Sequence, residues 1–328
     1  MKRALRTLRP LSARHSSTGR SSENLGAIRE EFSRQAAWFQ SDWSGRSKLS
    51  TAAIMDWVTR SICATAPVPP GARALDVAAG TGIFARALAP HCGGGVVGLD
   101  ATDAMLAEAR GQQLQQDDDD DDAALPGASG TGGGRIEYVL GDAADMPFAS
   151  DSFDLVACRL AIHHFARALP AVQEMARVCK PGGRVVVVDF ISDDDEALAA
   201  EHNRLEQLRD PSHTRSLSCA ELHALLEAAG LCCLAPIPVV PTDEHGGHGV
   251  GGLLRNEMDL ERWMAATKTA PFARIKIERS FETELQGGSG TGMYPEVDAD
   301  GKTCFVHKYV TVQATKMTPD FQSLFTIE

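Results

Sequence analysis

Three carboxylates stand where three successive strand-like runs end, and small residues crowd the first of them. The stretch "LDVAAGTGIF" (75–84) places Asp76 inside such a run and follows it with Ala78, Gly80, Thr81 and Gly82. "VVGLD" ends on Asp100, with Ala101 next, and Asp142 stands beside Ala143 in "GDAADMPF". A glycine-rich turn that leaves a strand and enters a helix lets backbone amides approach a ligand closely. Taken alone, "GTGIFA" fits the dinucleotide pattern GxGxxG/A through Gly80, Gly82 and Ala85. Asp76 argues for a different ligand, because a negative charge beside the turn opposes a pyrophosphate and favours a cation. A carboxylate ending the second strand can accept two hydrogen bonds from a ribose diol. One following the third is placed to accept from an adenine amino group. Together the three acids describe a ribonucleoside with a positively charged amino acid tail.

Alternating elements must hold these acids at one edge. Short apolar runs at 73–79, 94–99, 135–140, 153–158 and 184–191 read as strands, and helical spacings recur at 83–90, 102–116 and 167–179. Strand, helix and strand in repetition predict a doubly wound α/β domain, a parallel sheet with helices on both faces. Residues 25–43 and 49–66 carry apolar residues at helical spacing, and Pro67, Pro69, Pro70 and Gly71 end the second, giving a helical cap over 23–70. The cofactor-binding core is expected over 71–192. Beyond it, 193–328 reads as the substrate side of the same domain: helices at 193–209, 216–230 and 257–285, an apolar run at 232–241, and "HGGHGVGG" (245–252) as a flexible link. "KTCFVHKYVTVQATK" (302–316) alternates as a last strand, expected to insert antiparallel. "DDDDDDAALPGASGTGGG" (117–134) interrupts the core with six aspartates and then small residues. It cannot bury enough apolar area to repay its ordering entropy, so a disordered insertion is predicted.

Composition narrows the function classes. The 328 residues are 43% hydrophobic with a net charge of −12, and no apolar run approaches the roughly 20 residues of a membrane-spanning helix. Residues 1–22 hold six Lys or Arg and no acid, interleaved with leucines and serines, which is the pattern of an organelle transit peptide or of a disordered basic tail. Its removal takes the net charge from −12 to −18. Such a chain is poorly suited to binding a nucleic acid backbone, which needs clustered cations. The eight cysteines are scattered without CxxC pairs, so they read as reduced thiols, and the sequence offers no metal-ligand set.

The stretches "LDVAAGTG", "VVGLDATDAML", "GDAADMPFASDSFDLVACRLAIHHF" and "EMARVCKPGGRVVVVDF", in that order, make the chain resemble the class I S-adenosylmethionine-dependent methyltransferases. Within these it is similar to the methyltransferase type 11 group and its ubiquinone and menaquinone biosynthesis members, over roughly residues 70–192. The resemblance implies a doubly wound, mostly parallel, seven-stranded sheet of the Rossmann-like methyltransferase fold, S-adenosylmethionine as cofactor and a small-molecule acceptor. It also implies site roles. Ala78, Gly80, Thr81 and Gly82 would pass the methionine portion, with Asp76 near its ammonium. Asp100 and Ala101 would hold the ribose, Met105 would cover the adenine face, and Asp142 with the Ala143 amide would read its edge. Asp100 or Asp142 would serve equally to cap a following helix, and Met105 to pack a core. Mitochondrial residence follows from the leader, with a plastid or the cytoplasm as alternatives. Two other classes stay open: a methyltransferase-like assembly or binding protein without turnover, and a nicotinamide oxidoreductase using "GTGIFA".

Methyl transfer from a sulfonium needs mainly a nucleophile held in line, assisted by a base when the acceptor starts protonated. Arg159, His163 and His164 follow the fourth strand, at the edge where open α/β sheets bind ligands. Arg159 is expected beside the cofactor, His163 in the pocket as the better candidate base, and His164 as a packing residue. In "RDPSHTRSLS" (209–218), His213 and Arg215 are candidates to face the acceptor. The competing reading is a turn started by Asp210 and Pro211, with Ser218 capping the next helix. The quinone methyltransferases differ after the fourth strand, where "LAIHHF" stands.

Overall fold

A computed structural model describes residues 25–26, 28–34, 55, 57–60, 62, 67–123, 134–234 and 253–318. Its centre is one sheet in the order β3-β2-β1-β4-β5-β9-β6. β1 (Ala74–Val77) pairs in parallel with β2 (Val96–Asp100) and β4 (Phe153–Arg159). β3 (Ile136–Leu140) pairs in parallel with β2, and β5 (Cys179–Phe190) with β4. The long β9 (Thr303–Thr315) lies antiparallel against β5, as expected, and β6 (Cys232–Cys233) pairs with its end.

Two strands exceed the expected seven. β7 (Leu253–Asp259) pairs with the first half of β9, and β8 (Glu296–Val297) with its start. β9 is 13 residues long, so its second half completes the main sheet while its first half projects past β5 and needs partners of its own.

The two sheet faces follow from the period of two. Leu75, Val77, Val156, Val185 and Val187 enter one core, packed by α3 (Ala168–Val178) and α5 (Cys219–Ala228) through Met175 and Leu226. Ala74, Leu155, Val186 and Val188 enter the other, with Trp57, Ile62 and Phe84 of α1 (Ile83–Leu88) and Leu106 of α2 (Asp103–Ala123). Central parallel strands covered on both faces are apolar throughout, which is why Val185–Val188 is an unbroken run. Asp76 shares the pleat direction of Ala74 and is the acid in this otherwise apolar strand.

A third, smaller cluster joins Leu205 of α4 (Glu196–Arg209), Trp263 of α6 (Leu260–Ala266), Ile277 and Phe281 of α7 (Pro271–Leu285), and Phe305 of β9. It is a lobe carried by β9.

The expected insertion starts later than 117: α2 runs through the six aspartates to Ala123, because extending a formed helix costs far less than nucleating one. Residues 124–133 lie outside the described residues, as do the leader (1–22), most of the cap and the link at 245–252. The described parts of the cap are helical within 25–34 and 55–62. Among the described residues no helix is long and apolar enough to cross a membrane.

Candidate active site

A cavity of about 420 Å³ opens at the carboxyl ends of β1, β2, β4 and β5, where an open α/β sheet leaves a crevice. Asp76, Ala78, Gly80, Thr81, Asp100, Ala101, Met105, Asp142, Ala143 and Arg159 all border it. The turn after β1 takes left-handed backbone at Ala78 (φ 58°), Gly80 (φ 55°) and Gly82 (φ 75°). A side chain built on Gly80 would meet nothing within 4 Å, so that glycine answers the backbone and leaves open space for a ligand.

Gly82 departs from its expected role. It does not border the cavity, and a Cβ there would lie 2.1 Å from the Tyr138 hydroxyl on β3. The glycine is demanded by the protein's own aromatic, together with the left-handed cap of α1.

Asp76 is 1% exposed and its Oδ2 has no hydrogen-bond partner. Burial pushes its pKa up to about 7, with the Arg159 guanidinium the strongest opposing influence. Burial also lowers the pKa of Arg159, while Asp76 supports its charge. Asp100 is fixed by the backbone: Gly80 N–H donates to Oδ2 and Thr102 N–H to Oδ1, each at 2.8 Å. It therefore ties the glycine turn to the end of β2, and each oxygen keeps a lone pair. Asp142 accepts from Ala144 N–H at 2.9 Å, which makes a local turn, not a helix cap. Met105 is buried and borders the cavity.

The histidines meet at the opposite wall. His163 Nδ1 lies 2.7 Å from Asp189 Oδ1, and His163 N–H donates to Asp189 Oδ2 at 3.2 Å. Burial pushes the imidazole down to about 3 and the Asp189 carboxyl up to about 7, against the N–H donors of His163 and Phe190. The ring is neutral, so with Nδ1–H donating to Asp189 its Nε2 carries a lone pair on a residue that borders the cavity. This is the arrangement of a base held by an orienting carboxylate. Asp189 escaped the sequence reading, although an acid closing "VVVVD" at a strand end is the kind of signal used for Asp100.

His164 also borders the cavity, but its Nδ1 is bound to the Ser212 carbonyl and hydroxyl, each at 3.1 Å, and Ser212 in turn donates to Asp210. Burial pushes its pKa down to about 4. The ring is locked at the pocket wall and meets Phe32 edge-on.

His213 and Arg215 do not reach the cavity. His213 is buried behind His163, its ring 5.4 Å away, and Nε2 is bound to Asn203. Arg215 is 57% exposed and ion-paired to Glu221, a member of the capping box in which Ser218 starts α5. The physical reason is the loop's own docking: Thr214 and Arg215 N–H both donate to the His163 carbonyl, so 210–218 buttresses the histidine loop and its side chains point elsewhere. Functional-wall residues missed by sequence reasoning are Arg209, Trp263, His307 and Tyr309. They come from α4, α6 and β9, none of which carries a motif.

Three acids, a cationic preference at Asp76 and this strand order are now joined by a direct match: residues 75–187 fit the methyltransferase domain family. Over these residues the chain matches a methyltransferase domain. This domain is similar to the uncharacterized methyltransferase YcgJ of Bacillus subtilis, 36% identical over 159 residues, which are 48% of this chain and 55% of that protein. It is 36% identical over 147 residues to the ubiquinone/menaquinone biosynthesis C-methyltransferase UbiE of Cereibacter sphaeroides, 44% of this chain and 50% of that one. The chain thus spans about half the length of these curated relatives. The YcgJ crystal structure superimposes with a TM-score of 0.62 and 25% identity, over 81% of this chain and 99% of that one. The likeness in fold covers more of the chain than the aligned sequence does.

Proposed function

We propose that the protein transfers a methyl group from S-adenosylmethionine to a small-molecule acceptor. The observation that carries this reading is the buried, unpartnered Asp76 Oδ2 beside an open Gly80 turn, a site suited to an ammonium and unsuited to a pyrophosphate. The residues present fit that cofactor: Asp76 for the ammonium, Asp100 for the ribose hydroxyls, and Met105 and Asp142 with Ala143 for the adenine. When bound, S-adenosylmethionine supplies an electrophilic methyl group. The chain's own part is to position the acceptor, exclude water with Phe32, Phe165, Phe190 and Trp263, and accept a proton at His163 Nε2 while Asp189 holds Nδ1. Much of the rate enhancement comes from alignment alone.

Calorimetry and turnover test this together. S-adenosylmethionine should bind and NAD should not. Labelled S-adenosylmethionine incubated with the protein and an extract of its own organelle should yield a labelled small product, whose identity fixes the acceptor atom. Binding without any labelled product would instead support the assembly-protein reading.

Binding should also depend on pH. Asp76 must ionise to meet an ammonium, and its pKa of about 7 leaves it mostly protonated at pH 6. Affinity is therefore weak at low pH and rises through pH 7, by about tenfold from pH 6 to pH 8, with protons released on binding. Asp76→Asn should bind weakly at every pH. An unchanged slope in that variant would place the titration elsewhere.

The basic leader over 1–22 supports delivery to a mitochondrion, with a plastid as the alternative. A fluorescent reporter fused to residues 1–30 should enter that organelle, and a diffuse cytosolic signal would overturn the assignment.

A further inference from the structure

Behind the cavity wall, α4 and β9 bring together two histidines and a glutamate that the sequence keeps far apart. His202 and Glu206 are one helical turn apart on α4, and His307 sits across from them on β9. All three are buried, at 3%, 0% and 4% exposure. Their ligand atoms lie within 4.8 Å of one another. His307 Nε2 is 3.1 Å from Glu206 Oε1, and His202 Nε2 is 3.9 Å from the same oxygen.

An ion-pair network explains only part of this. Glu206 Oε2 takes Arg209, at 2.8 Å, and Oε1 takes His307. His202 is left over, with neither ring nitrogen hydrogen-bonded. An uncharged imidazole keeps a lone pair on one of its two nitrogens. A buried imidazole without any partner is rare in a native core and demands an account.

We propose that His202, Glu206 and His307 bind one divalent first-row transition metal ion. Two imidazole nitrogens and one carboxylate oxygen are a recurrent three-ligand set for zinc, with a further position left for water or substrate. Ligand atoms around a tetrahedral zinc, with bonds of about 2.0 to 2.1 Å, are about 3.3 Å apart; here Glu206 Oε1 lies 3.1 Å from His307 and 3.9 Å from His202, with all three ligand atoms within 4.8 Å of one another. The two carboxylate oxygens divide their work: Oε1 faces both histidines, and Oε2 is held by Arg209, the kind of outer hydrogen bond that fixes a ligating carboxylate. Nitrogen donors and the single carboxylate disfavour magnesium and calcium, which prefer oxygen. Among the three, His307 borders the cavity, so the remaining coordination position opens on that side.

Cobalt(II) is the probe. The metal-stripped protein should bind one equivalent and acquire visible ligand-field absorption. Zinc should displace the cobalt, and millimolar magnesium should not. His202→Gln keeps a polar side chain of similar length and leaves the Glu206–Arg209 pair intact; it should weaken cobalt binding by about 100-fold or more, beyond the usual loss for an outer-shell change. Circular dichroism establishes that the variant is folded. If it is not, X-ray absorption on the zinc-loaded wild-type protein decides, and should show imidazole scattering from two histidines. The proposal is overturned if the wild type takes up no stoichiometric metal. It is equally overturned if folded His202→Gln binds as the wild type does, or if the zinc shows sulfur scattering from one of the free cysteines.

Discussion

Asp100→Ala is expected to weaken S-adenosylmethionine binding by about 2–4 kcal/mol, or roughly 30-fold to several hundred-fold. Each hydrogen bond from a ribose hydroxyl to a carboxylate is worth about 1.5–3 kcal/mol, and water replaces part of the loss. Geometry sharpens the expectation. Asp100 is already immobilised by the Gly80 and Thr102 amides, so binding a diol to it costs little ordering of the side chain. The same two amides lose their acceptor in the variant, and each buried unsatisfied donor costs about 1–3 kcal/mol. The variant should therefore melt lower as well. Calorimetry below the melting transition separates the effects, with Asp100→Asn alongside because it keeps one oxygen for an amide. Unchanged affinity in folded Asp100→Ala would reject the ribose assignment.

The second large effect is expected at His163. His163→Gln should lower turnover at saturating substrate by about 100-fold or more, the usual share of general base catalysis. Cofactor affinity should change little, since the ring lies against Phe190 and Asp189, across the cavity from Asp100. Asp189→Asn tests the partner. Its carboxyl titrates near 7, and only the anion stabilises the positive charge His163 gains when it takes a proton. Wild-type turnover should then rise with pH through about 7, and Asp189→Asn should be slow and lack that step. His164→Gln is the contrast, because its Nδ1 is committed to Ser212. It should lose thermal stability more than rate. Full turnover in His163→Gln would show that alignment alone carries the reaction.

Much of the cofactor side was legible because its signals are local. Asp76, Asp100 and Asp142 each stand at the end of their own strand, and the parallel order that brings those ends together follows from alternation of strand and helix. Ser218 as a cap needed only its neighbours, the box closing on Glu221 three residues later. That 302–316 forms a last strand was equally legible in its alternation, while its antiparallel direction came with the resemblance.

What failed were the inferences about Gly82, His213 and Arg215, each of which turns on what a side chain touches across the fold. Gly82 was read as making room for a ligand, but the atom that would collide with it belongs to Tyr138 on another strand. His213 and Arg215 were candidates by type, yet hydrogen bonds from their loop to the His163 carbonyl fix which way they face.

The sequence by itself determined the parallel core of the sheet, its cavity edge and the acids along it, since these depend on periodicity and on residues next to one another. Only the tertiary structure decided which histidine has an aspartate behind it and which lies behind the wall. It alone set His307 against Glu206, partners 101 residues apart. Such pairs arise where β9 enters the sheet beside β5 and runs past its end, and spacing along the chain carries no record of a contact made by sheet order.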